Sequence, residues 1–158
     1  MKNTKKTILY NHPRLFDIVT GIFLFSKKHG LFLKKIIGKN KTILEPGCGY
    51  GRVYYFIDPS CKYSGFDLNK KFVKFARKKK LNVCLGNVFD ESNYFNVDII
   101  LCCDLMHHVK KNRIKELLKI CFKYSKEKVI IIEPTFLGLA KIKFIGGLLK
   151  EIMAFIPE

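Results

Sequence analysis

Five short runs of strand-forming residues recur between residues 41 and 132, separated by turn residues or by helical periods. Lys41–Leu44, Lys62–Phe66, Leu81–Leu85, Val97–Cys103 and Lys128–Ile132 all have strand rather than helix length. Val97–Cys103 is almost wholly apolar, as a strand covered on both faces should be. Between the runs, residues 51–57 can start a helix. Lys70–Lys80 puts Phe72, Val73, Phe75 and Ala76 inward, and Arg113–Tyr124 puts Ile114, Leu117, Leu118 and Cys121 on one face. Strand alternating with helix in this way predicts an α/β fold, a doubly wound parallel sheet with helices on both faces. Ligands of such sheets bind at the carboxyl ends of the strands.

No repeat and no Pro/Gly/Ser linker divides the 158 residues, so one domain is expected. Residues 14–37 carry a helical period broken at Gly21 and Gly30, which predicts a helical cap over residues 1–40. The core then occupies 41–133. Residues 134–158 read as an amphipathic helix, apolar over more than half its circumference.

The first run ends in Glu45-Pro46-Gly47-Cys48-Gly49-Tyr50-Gly51. Glycines at a strand-to-helix turn let a ligand approach the main chain, because no side chain stands in the way. A dinucleotide fingerprint needs a third glycine where Arg52 stands, which counts against a nicotinamide-dependent dehydrogenase. A phosphate-binding Walker loop needs Gly-Lys-Ser/Thr, which is also absent.

The motif Glu45 to Gly51 resembles the first motif of the class I S-adenosylmethionine-dependent methyltransferases, and further segments resemble that family in order. Asp67 ends the second run, where the resemblance implies a carboxylate that accepts the ribose hydroxyls, with Leu68 following it. Gly86-Asn87-Val88 is similar to the segment that contacts adenine; Asn87 stands where Asp is frequent and keeps a carbonyl acceptor without the charge. Val97 to Val109, including Cys103, Asp104 and the pair His107-His108, is similar to the fourth motif. The implied fold is a Rossmann-like doubly wound, mostly parallel sheet. The implied cofactor is S-adenosylmethionine, held by Glu45, Gly47, Cys48, Gly49, Gly51, Asp67, Leu68, Asn87, Val88, Cys103 and Asp104. Glu133-Pro134 reads as a strand terminator at the pocket rim. The family sheet usually has seven strands, and residues 133–158 are too few for the remainder. A short variant, a cut chain or a sheet completed by a partner would each account for that.

The cofactor's sulfonium is an activated methyl donor, so the protein mainly aligns the acceptor with it. A base is needed only where the acceptor keeps its proton until attack, and His107 or His108 can serve. No Asn/Asp-Pro-Pro-aromatic sequence follows the fourth run, and no Pro-Cys pair is present. Both absences favour a small-molecule or lipid acceptor over nucleic acid. The other reading is a non-catalytic methyltransferase-like module that binds cofactor or associates with a membrane.

The formal charge is +17, yet only Arg14, Arg52, Arg77 and Arg113 among the 30 basic residues are arginine. Bidentate base and phosphate recognition favours arginine, so this lysine surface reads first as solvated and second as attracted to anionic membrane. Six cysteines lie mostly in apolar runs without metal-ligand spacing, which predicts free thiols, no metal and a reducing, cytoplasmic compartment.

Overall fold

A computed structural model describes residues 27–133. They form helix α1 (Lys27–Ile37), strand β1 (Thr42–Pro46), strand β2 (Lys62–Asp67) and helix α2 (Lys70–Lys78). Strand β3 (Val83–Leu85), strand β4 (Val97–Cys103), helix α3 (Ile114–Tyr124) and strand β5 (Ser125–Ile132) follow. All five strands are parallel, in the order β3-β2-β1-β4-β5. The chain thus winds outward from β1 in one direction, then returns to β4 and winds outward in the other. The reversal between β1 and β4 opens a crevice at their carboxyl ends.

Alternation along the central strands sorts the core into two layers. Ile43, Ile99 and Leu101 face one cluster with Leu33 and Ile37 of α1 and Val73 and Ala76 of α2. Leu44, Ile100 and Cys102 face the other, with Leu117, Ile120 and Cys121 of α3. A register shift between Val97 and Ile99 puts Val97 on the second face. At the opposite end of the sheet, Asp98 Oδ2 accepts the Thr42 N–H at 2.8 Å and the Thr42 hydroxyl at 2.7 Å, pinning β1 to β4. Asn69 caps α2, its Oδ1 accepting the Lys71 N–H at 3.0 Å.

Two local expectations change. Gly30 does not break the helix but lies buried inside α1, because a Cβ there would collide with the Phe56 ring. Residues 52–56 form a 3₁₀ turn rather than an α-helix. The expected segment around Gly21 and the C-terminal amphipathic helix lie outside the described residues. Among those described, no helix is long and apolar enough to cross a membrane. All six cysteines are free; four are buried, Cys103 is half-buried and Cys84 is exposed.

Candidate active site

The turn after β1 takes a left-handed backbone at three glycines, with φ of +69° at Gly47, +56° at Gly49 and +75° at Gly51. A side chain at Gly47 would meet Leu105 Cδ1 at 2.7 Å, and one at Gly51 would meet Leu81 Cδ1 at 2.5 Å. Gly49 differs: a Cβ there would have only Phe72 Cδ2 nearby, at 3.9 Å. Gly47 and Gly51 therefore serve packing, while Gly49 keeps an open face over the turn.

Asp67 ties that turn to β2. Its Oδ2 accepts the Gly49 N–H at 2.9 Å and its Oδ1 accepts the Asn69 N–H at 2.7 Å. Burial raises its carboxyl pKa, against the pull of the two amides. A carboxylate has about four lone-pair sites, so capacity remains for ligand hydroxyls beyond these two bonds. Leu68, the next residue, is 53% exposed, an apolar surface beside that carboxylate.

Glu45, the penultimate residue of β1, is fully buried and accepts a hydrogen bond from the Tyr63 hydroxyl. Desolvation pushes its pKa up to about 8; the Tyr63 bond opposes this, and the charges of Asp104 and Asp67 add to it. Gly65, opposite Glu45 in the sheet, makes room for the group. A side chain there would lie 2.9 Å from Cys48 Sγ and 3.1 Å from the Tyr63 hydroxyl. Cys48 packs in this cluster, and its N–H donates to Phe66 O at 3.1 Å.

Beyond β4 the chain bends at Asp104, a non-glycine residue with φ of +51°. Asp is among the few residues that tolerate this region. The bend lays Leu105 against Gly47, so the 3₁₀ turn Met106–His108 sits beside the glycine turn. Glu133, just past β5, reaches the same place. Its Oε1 accepts the Leu105 and Met106 N–H groups at 2.9 and 2.6 Å, and its Oε2 lies 2.7 Å from His107 Nδ1. Burial works against its charge, but the His107 bond and the two amides hold its pKa below the ordinary value. That bond raises the His107 pKa. The His108 ring lies 4.0 Å from that of His107, and burial and the neighbouring imidazole lower its pKa. Burial and Glu133 raise Asp104, with His107 and Arg52 opposing.

The crevice thus brings together Glu45, the glycine turn, Asp67, Cys103, Asp104, His107 and His108. Asn87 is exposed, and its Oδ1 accepts the Phe89 N–H at 3.0 Å within its own turn. Val88 packs in the core layer of α3, and its carbonyl accepts the Tyr94 hydroxyl at 2.7 Å. The sequence reading missed the reach of Glu133 and the bond from Tyr63. The signal for Glu133 was available: an acidic residue lies at or within one position of the carboxyl end of β1, β2, β4 and β5, namely Glu45, Asp67, Asp104 and Glu133. A set of carboxylates around an open glycine turn suits a ligand with hydroxyls and cationic groups, which S-adenosylmethionine carries.

A family model described as a methyltransferase domain matches residues 43–128, more than half of the chain. The chain is 28% identical over 120 residues to the human thiol S-methyltransferase TMT1A, covering 67% of this chain and 49% of the relative. It is 29% identical over 102 residues to the rat thiol S-methyltransferase TMT1B, covering 56% of this chain and 42% of that protein. It therefore spans about half the length of the curated relatives it matches. In fold it is similar to a TehB-like S-adenosylmethionine-dependent methyltransferase from Corynebacterium glutamicum, with a TM-score of 0.65 at 15% identity, covering 78% of this chain and 71% of that one. Strand order, glycine turn and family match agree, and the chain belongs to the class I S-adenosylmethionine-dependent methyltransferase family.

Proposed function

We propose that this domain transfers a methyl group from S-adenosylmethionine to a small molecule bearing a thiol. One observation carries the cofactor half: Asp67 binds the Gly49 amide at 2.9 Å, which sets a carboxylate at the rim of the glycine turn's open face. The acceptor half is supported by the two curated relatives, both named thiol S-methyltransferases.

The sulfonium of the cofactor supplies an already activated methyl group. The remaining work falls to the chain. Asp67 offers acceptors to ribose hydroxyls, with Leu68 beside it for the face of a base. Glu45 offers a carboxylate to the amino group at the methionine end. The turn from Asp104 to His108 borders the space left for the acceptor. A thiol has a pKa of about 8.5 and reacts as the thiolate, so at neutral pH a nearby base increases the reactive fraction.

Calorimetric titration with S-adenosylmethionine, S-adenosylhomocysteine and NAD tests the cofactor. The first two should bind and NAD should not; binding of NAD alone would overturn the reading. Methyl transfer to a panel of small thiols, phenols, amines and lipid extracts tests the acceptor. Turnover confined to lipids or amines would reject the thiol.

A further inference from the structure

We propose that Glu133 positions His107 as the base that takes the proton from the methyl acceptor, and that His107 rather than His108 has this role. The proposal rests on the methyltransferase reading above and deepens it.

One carboxylate holds both the turn and the ring. Glu133 Oε1 binds the Leu105 and Met106 amides, which sets the backbone on which His107 is mounted. Glu133 Oε2 binds His107 Nδ1 at 2.7 Å. A carboxylate partner selects the tautomer with its proton on Nδ1, which leaves Nε2 as the acceptor. The His107 side chain is 46% exposed while that of Glu133 is 15% exposed, so the ring remains accessible and its anchor is shielded. Leu105 against Gly47 places this turn beside the glycine turn and hence beside the donor's site.

The surrounding charges favour the same histidine. His107 faces Glu133 beyond β5, Asp104 beyond β4 and His108 in its own turn; Arg52, from the 3₁₀ turn after the glycines, bears on Asp104. Glu133 and Asp104 both stabilise an imidazolium at His107. Glu133 favours a charge at His108 as well, but burial and the adjacent His107 outweigh it there. Of the two rings 4.0 Å apart, the one that Glu133 anchors is therefore the more basic.

In the step itself the acceptor S–H bond breaks and its proton passes to His107 Nε2. The acceptor sulfur uses a lone pair to form the new S–CH3 bond. The bond from methyl to the donor sulfonium breaks, its electron pair staying on that sulfur. The His107 proton then leaves to solvent, and no further reactant is required.

The test compares an alkyl thiol, protonated at the assay pH, with an aryl thiol already ionised there. Glu133→Gln keeps an oxygen for the Leu105 and Met106 amides while removing the charge. Cofactor-free Glu133→Gln protein should show the His107 imidazole pKa, followed by NMR, falling by about half a pH unit or more. Alkyl thiol methylation should fall roughly 10-fold in Glu133→Gln and about 100-fold in His107→Gln, while aryl thiol methylation stays within about threefold. The acid limb of the alkyl thiol rate profile should move to lower pH in Glu133→Gln. An unchanged His107 pKa, equal losses on both thiols, or retained alkyl thiol turnover in His107→Gln would each overturn the proposal. Should Glu133→Gln fail to fold, the two thiols compared in His107→Gln decide it. Wild-type protein that binds no S-adenosylmethionine would instead overturn the methyltransferase reading itself.

Discussion

Glu45 should make both stability and cofactor binding depend on pH. Its ordinary value is 4.5, and burial pushes it up to about 8 in the fold. At roughly 1.36 kcal/mol per unit, that gap corresponds to about 5 kcal/mol between the two protonation states. Because the folded value is the higher, the stabilising effect of the protonated carboxyl is fully present below about 4.5. It is lost between 4.5 and about 8, and above that it does not change further. Urea melts of the cofactor-free protein should therefore lose up to about 1.4 kcal/mol per pH unit across this window. Glu45→Gln should remove that slope. A ligand ammonium near Glu45 has the opposite preference and draws out the anion. Binding of S-adenosylmethionine at pH 6.5 should then release close to one proton, read by calorimetry in two buffers of unlike ionisation heat. Affinity should rise by up to about tenfold per pH unit until about 8. Tyr63→Phe, which removes the donor that stabilises the anion, should raise the Glu45 value further and weaken binding near neutral pH. Binding without proton release, or a Glu45→Gln protein with the parent's pH slope, would refute the reasoning.

Asp67→Ala should weaken S-adenosylmethionine binding by about 10- to 150-fold, the worth of a charge-assisted hydrogen bond. Because Asp67 also holds the Gly49 and Asn69 amides, urea melts should show a loss of roughly 1–3 kcal/mol as well. Gly49→Val should abolish cofactor binding in calorimetry while circular dichroism stays near the parent's, since the site is open but its φ of +56° resists a β-branched residue. Ile100→Ala, in the middle of β4 and fully buried, should cost about 2–5 kcal/mol in the same melts.

Much of the architecture is local and therefore legible in the linear chain. A strand buried on both faces must be apolar throughout, so Val97–Cys103 declares itself, and Lys70–Lys78 shows its helical face through Phe72, Val73 and Ala76. The glycine turn is equally local, since positive φ at three alternate positions demands glycine whatever packs above it. Asp67 is readable because a carboxylate at a strand's carboxyl end lies at the site in any sheet of this type. Partnerships across the sheet are a different matter. Glu133 reaches His107 only because β4 and β5 pair in parallel with Cys103 opposite Ile132, which brings residues 26 apart in sequence to one turn. Tyr63 reaches Glu45 only because β1 and β2 pair in register and Gly65 leaves the space between them. Gly30 reads as a break in the sequence and sits inside a helix in the fold, because Phe56 occupies the space a side chain would need. The order of elements and the turn that meets the ligand follow from the linear chain, because backbone sterics and hydrophobic period act over a few residues. Which acid is buried and which histidine is anchored emerge only in the fold, because desolvation and hydrogen bonding depend on neighbours that strand register brings together.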